Sequence, residues 1–164
     1  MRLDLREIIN ILGGSVAFEY SPKLEEMEFD SGARVLPGCS AKGTVRNSAG
    51  VLVLTARLEA VLDCTCARCL TSFEKQVHQD IEAVLAEEVQ DEENSDIYLR
   101  EGDYIDLDEV ILTAFVLNME QRFLCIEDCR GLCEKCGKNL NEGPCGCKAE
   151  IDPRLAVLRQ LLEK

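Results

Sequence analysis

Ten cysteines, at positions 39, 64, 66, 69, 125, 129, 133, 136, 145 and 147, constrain this 164-residue chain more than anything else in it. Nine of the ten fall in two short clusters, as C-x-C, C-x-x-C and C-x-x-x-C pairs. An even count in a secreted protein suggests disulfides. The opening residues Met1-Arg2-Leu3-Asp4-Leu5-Arg6-Glu7 instead alternate charges where an export signal needs an apolar block. No run approaches the roughly 18 apolar residues of a membrane span. The expectation is a soluble, cytoplasmic protein whose thiols stay reduced. Close pairs on tight turns converge on a metal more easily than they form unstrained disulfides.

The C-terminal cluster reads Cys133-x-x-Cys136, Gly137, a turn-rich stretch Asn139-Leu140-Asn141-Glu142-Gly143-Pro144, then Cys145-x-Cys147. This is the pattern of a zinc knuckle. Backbone amides turn toward the paired sulfurs, and glycine after the second cysteine permits a left-handed residue. Four thiolates without histidine form a closed structural sphere, for which zinc is the default ion. An iron–sulfur cluster is the alternative, although the spacing matches neither common ferredoxin pattern.

The first cluster, Cys64-Thr65-Cys66-Ala67-Arg68-Cys69-Leu70, has one knuckle pair and needs two more ligands. Cys125 and Cys129 are left over from the other site. The arithmetic suggests a second four-cysteine set of Cys66, Cys69, Cys125 and Cys129. Cys39 and Cys64 remain spare, and Cys64 could replace a ligand. A thioredoxin-type couple requires a strand-to-helix junction in a βαβ pattern. Here strand-like sequence flanks the motif on both sides.

Periodicity sets the fold. Ala41, Gly43 and Val45 alternate with Lys42, Thr44 and Arg46. After the turn signal Asn47-Ser48-Ala49-Gly50, Leu52 through Leu62 keep a period of two, with Thr55, Arg57, Glu59 and Asp63 opposite. The period resumes at Phe73, Val77, Ile81, Ala83 and Leu85. A helix cannot satisfy this pattern, so strands are expected near 40–46, 51–63 and 72–86. Arg2–Leu5 and Val16–Tyr20 read as short strands around a helical turn at Glu7–Leu12. Asp106, as N-cap, opens a long helix to about residue 121. Asp152-Pro153 opens a short final helix. The expected fold is α+β: a twisted antiparallel sheet with a covering helix (1–122), then a cysteine-rich zinc-knuckle segment with a short helix (123–164).

Net charge is −13, concentrated at residues 87–109, which hold 11 acidic residues and one basic. Bulk nucleic acid repels such a chain. Contact with RNA has to be local or run through a basic partner. Residues 87–103 lack periodicity and read as an exposed, mobile loop. His78 sits on the wet side of a strand. No nucleophile elbow, phosphate loop or convergent His/Asp/Glu set is visible, so no enzyme is expected.

Two blocks carry a resemblance. One is Cys66-Ala67-Arg68-Cys69-Leu70 on a long hairpin, followed by Phe73. The other is Cys129-Arg130-Gly131-Leu132-Cys133-Glu134-Lys135-Cys136-Gly137-Lys138-Asn139-Leu140-Asn141, then Cys145-Gly146-Cys147 and Ile151-Asp152-Pro153-Arg154-Leu155. Together they resemble the YceD family, over nearly the whole chain, with residues 1–38 matching loosely. The resemblance implies a non-enzymatic factor in accumulation of large-subunit ribosomal RNA. It implies a ribosomal protein or a large-subunit precursor particle as partner, without a membrane. Arg130, Lys135 and Lys138 offer local basic spots. A zinc-thiol redox sensor or chaperone and a zinc-ribbon interaction adaptor are the competing readings.

Overall fold

Strict alternation of buried residues with half-buried or exposed ones from Leu52 to Cys64 makes one strand the axis of the molecule. The computed structural model describes residues 1–24, 27–29, 31–87 and 97–147. In chain order the elements are β1 (Arg2–Asp4), α1 (Arg6–Ile9), β2 (Ser15–Tyr20), β3 (Glu28–Phe29), β4 (Ala33–Val35), β5 (Ser40–Ser48), β6 (Val51–Thr65), β7 (Ser72–Ala86), β8 (Ile97–Leu99), β9 (Tyr104–Asp106) and α2 (Leu107–Leu117). A single 3₁₀ turn follows at Leu140–Glu142.

Strand β6 pairs antiparallel with β7 along one edge, in unbroken register from Leu52↔Leu85 to Thr65↔Ser72. Its other edge is shared by β5, from Val51 to Glu59, and β4, from Leu62 to Cys64. β2 extends β5, and β3 extends β4. The inner face carries Leu54, Leu58, Leu62 and Cys64, each at most 1% exposed. Arg57 lies on the outer face and makes a two-pronged ion pair with Asp80 at 2.7 and 3.1 Å. The three long strands expected from the period of two are therefore present: β5 and β6 each run two residues further than the sequence suggested, and β7 has the expected bounds.

The architecture is mostly β-sheet with few helices, and the expected long helix is absent. α2 has 11 residues and stops at Leu117. Asp106 caps its start, its side chain accepting from Asp108 N–H at 3.0 Å. Asn118 ends it by turning both its backbone N–H (3.1 Å) and its Nδ2 (2.9 Å) onto the Ala114 carbonyl. Gln79 of β7 donates to the same oxygen at 2.7 Å, tying the helix end to the sheet. The apolar face ends at Leu117, and the helix closes there: Asn118 leaves helical geometry and Met119 N–H turns to the Val116 carbonyl at 3.3 Å, the tighter i−3 bond that ends a last turn. Val110, Ile111 and Phe115 bury against the sheet, and Phe115 meets Phe29 edge-on at 5.8 Å.

Two further expectations change. The sheet is not wholly antiparallel, because β8 runs parallel to the end of β7. β8 also falls inside the stretch read as a structureless loop, where Ile97, Tyr98 and Leu99 are apolar enough to pair. Residues 88–96 of that acidic block lie outside the described residues, as does the helix expected after Asp152-Pro153. Among the described residues no helix is long and apolar enough to cross a membrane.

Asn47 belongs to β5, not to the turn, and among the described residues it is the buried polar residue of the core, at 1% exposure. Its Nδ2 donates to the carbonyls of Ile8 (2.9 Å) and Ile9 (2.7 Å), and its Oδ1 accepts from Gly50 N–H (2.9 Å). One side chain thus holds the end of α1 on the β5–β6 turn. That turn is two residues, Ala49 and Gly50, both left-handed at φ 55° and 93°, as tight hairpins require. Asn47→Ala should cost about 2–3 kcal/mol, since one buried and two partly buried main-chain groups lose their partner. Ala49→Asn should gain about 1 kcal/mol, because asparagine tolerates the left-handed backbone that alanine does not. Chemical denaturation of the two variants reads both signs.

Candidate metal centres

Strands β6 and β7 are joined by a knuckle, Cys66 to Thr71. Its ends are tied by Cys66 N–H on the Thr71 carbonyl, and its turn is closed by Leu70 N–H on the Cys66 carbonyl, both at 3.0 Å. Leu70, just after the second cysteine, sits at φ 58°. The segment after α2 returns to this knuckle. Phe123 buries fully in the main core, and its carbonyl accepts from Ala67 N–H at 2.9 Å. That contact delivers Cys125 and Cys129 to the knuckle. The sulfurs of Cys66, Cys69, Cys125 and Cys129 all lie within 4.8 Å of one another. Cys66 approaches Cys129 at 3.7 Å, and Cys69 approaches Cys125 at 3.5 Å. Cys66, Cys69 and Cys129 are buried, while Cys125 is half-buried.

The second group, Cys133, Cys136, Cys145 and Cys147, is equally tight, with its sulfurs within 4.8 Å of one another. Here Cys136 and Cys147 are exposed. Cys133 N–H bonds the Lys138 carbonyl at 2.8 Å, and Gly137 N–H bonds the Cys133 carbonyl at 2.9 Å. Gly137 takes φ 71° with open space around it, as the knuckle reading requires. Lys138 Nζ donates to the Pro144 carbonyl at 3.1 Å, holding the return strand against the knuckle.

Ionisation is split within each quartet. Burial opposes charge on Cys66, but the backbone amides of Cys125, Cys69 and Arg68 overcome it and pull its thiol down to about 6. The amides of Cys136 and Lys135 do the same for Cys133, also to about 6. Cys125, against the Cys69 sulfur, is pushed up to about 12, as is Cys147 against Cys136. Four sulfurs this close cannot all carry charge without a cation among them. A divalent ion removes the conflict and can hold all four as thiolates. Both quartets could therefore hold a metal ion, and the all-sulfur, tetrahedral-sized donor set suits zinc.

Every cysteine singled out from spacing thus falls in one of the two quartets. Cys39 and Cys64 join neither: both are buried in the main apolar core, and burial pushes the Cys64 thiol up. His78 is exposed on the outer face of β7.

Several residues quoted for the resemblance gain roles that spacing could not assign. Arg68 Nη1 donates to the Cys129 carbonyl at 2.8 Å, across the first quartet. Gly131 takes φ 73°, and a Cβ there would lie 3.0 Å from the Arg68 carbonyl. Leu132 N–H donates to that same carbonyl at 3.2 Å. Asn139 caps the 3₁₀ turn by accepting from Asn141 N–H at 3.0 Å. Asn141 accepts from Arg130 N–H at 2.8 Å and donates to the Cys129 sulfur at 3.2 Å.

A mostly-β domain carrying two tetracysteine groups is the class of protein that fold and site define. A family model described as "Large ribosomal RNA subunit accumulation protein YceD" matches residues 54–162. The chain belongs to the YceD family. It is similar to an uncharacterized protein of Mycobacterium tuberculosis, Rv2926c, at 34% identity over 119 residues, covering 70% of this chain and 57% of that one. It is also similar to the Mycobacterium leprae protein ML1660, at 31% identity over 102 residues, covering 59% of this chain and 46% of that one. The chain thus spans 57% or less of the length of these curated relatives. No solved structure matches it.

The two knuckle glycines give a graded test. Gly137→Ala meets only backbone strain and should cost about 1 kcal/mol. Gly131→Ala meets strain and the Arg68 carbonyl together, and should cost more. Cys66→Ser should raise amide exchange and protease cutting at 123–130, more than fifty residues away in sequence. Unchanged protection there would separate the knuckle from the C-terminal segment.

Proposed function

We propose that this protein is a non-enzymatic factor in biogenesis of the large ribosomal subunit, acting in the cytoplasm and built on two structural zinc centres. The observation that carries the reading is the family match across residues 54–162, whose description names accumulation of large-subunit ribosomal RNA. The chemistry of the chain is consistent with it. Among the described residues the groups that converge are two all-cysteine quartets, and a closed four-thiolate sphere leaves no open position for a substrate. The zinc ions would supply cross-links where the C-terminal segment has few apolar side chains.

A net charge of −13 disfavours direct wrapping of RNA. The partner that fits this charge is a basic ribosomal protein, met alone or on a precursor particle. A zinc-thiol redox function is the second reading, and the exposure of Cys136 and Cys147 in the second quartet favours it.

Sedimentation of a cell extract through a sucrose gradient tests the main reading. The protein should run with large-subunit precursor particles, and its depletion should lower mature large-subunit ribosomal RNA. Sedimentation as free protein, with ribosomal RNA unchanged on depletion, would contradict it. Release of zinc by mild oxidant, reversed by reductant, would favour the redox reading.

A further inference from the structure

The two quartets differ in one respect that their similar geometry hides. The first is enclosed, with three of its four cysteines buried, whereas the second has Cys136 and Cys147 exposed. They are also joined. The hairpin that carries the second quartet begins at Cys133 and passes through Asn139, Leu140 and Asn141 before reaching Cys145. Asn141 turns back from this hairpin and donates its Nδ2 to the Cys129 sulfur of the first quartet at 3.2 Å. Its Oδ1 is fixed meanwhile by Arg130 N–H at 2.8 Å. Leu140 N–H ties the hairpin to the Gly131 carbonyl at 2.9 Å, and the next residue, Leu132, reaches the first knuckle itself, its N–H on the Arg68 carbonyl at 3.2 Å.

We propose that the exposed centre controls metal retention at the buried one, and that Asn141 is the positioning residue that links them. The proposal rests on the reading of both quartets as metal centres. An N–H donated to a thiolate ligand disperses its charge and holds its direction, and such outer partners typically change metal affinity by about 10–100-fold. Asn141 can act so only while its hairpin is ordered. That hairpin is closed by the second quartet and has few apolar contacts of its own. Loss of metal from Cys133, Cys136, Cys145 and Cys147 therefore withdraws the donor from Cys129. Linkage makes the effect reciprocal: a filled buried centre also tightens the exposed one.

The test is metal release from the intact chain, loaded with zinc and then challenged with excess chelator. Cadmium in place of zinc gives each centre its own NMR resonance, so release can be assigned. Wild-type protein should lose metal from the exposed centre first. Cys145→Ser, which breaks that centre, should release metal from the buried one about 10–100-fold faster than wild type. Asn141→Asp keeps an acceptor for Arg130 N–H but has no N–H to give. It should match that acceleration with both centres filled, and should shift the cadmium resonance of the buried centre. Wild-type protein stripped of one metal by limiting chelator makes the same comparison without any substitution. Equal release rates from the buried centre throughout, with an unmoved resonance in Asn141→Asp, would overturn the coupling while leaving two metal centres standing. A chain that takes up no metal through its thiolates would overturn the coupling and the zinc reading together.

Discussion

The closure of the β6–β7 hairpin around the sulfurs of Cys66 and Cys69 is the constraint on which the rest of the structure depends. Strands of 15 residues each carry the core on one face and end at this knuckle. The described residues from Phe123 to Cys147 are organised by reference to it. Phe123 docks on Ala67, Cys129 receives Arg68 at its carbonyl, and Leu132 reaches the Arg68 carbonyl in turn. Ordering a residue costs roughly 1–2 kcal/mol, and the 124–147 stretch buries few side chains to offset that. Zinc held by thiolates contributes on the order of 10 kcal/mol in small knuckles. With zinc in both quartets, the sulfurs would contribute more to the order of this segment than its apolar residues do.

The protein divides its interactions by polarity as well as by position. Its sheet is stabilised by aliphatic burial between β5, β6, β7 and α2. Its C-terminal segment is held by hydrogen bonds to the first knuckle, and its sulfurs are placed where they could hold metal. Asn47 does for the opposite end of the sheet what Arg68 and Asn141 do for the sulfur end: one polar side chain satisfies main-chain or sulfur atoms from separate segments. Acidic residues gather in the connection between β7 and β9, away from the quartet cysteines in sequence.

Much of this was legible in the sequence, for physical reasons. A period of two over more than ten residues has one structural solution, so β5, β6 and β7 could be placed within a few residues. Cysteine pairs come with their own geometry, and eight sulfurs in four close pairs leave few ways to make two quartets. What failed was local. The start of α2 was signalled by Asp106, but its end was not: Asn118 is the C-cap, and the contact that ties this end to the sheet comes from Gln79, 35 residues away. The three apolar residues of β8 are too short a signal amid acidic sequence. Asn47 read as a turn residue because asparagine before Ser-Ala-Gly usually is one, whereas here its side chain serves α1. Arg68 and Asn141 stood inside recognisable blocks, yet their partners lie 61 and 12 residues away, and spacing carries no information on such contacts.

The central claim is that each quartet of sulfurs is a metal centre. Metal analysis of freshly purified, fully reduced protein, combined with mass measurement of the intact folded chain, addresses it directly. The account predicts two zinc ions per chain, with Cys66, Cys69, Cys125 and Cys129 protected from thiol reagents until the metal is chelated. A chain carrying no zinc, or one ion with Cys66 and Cys69 reacting freely, would contradict it.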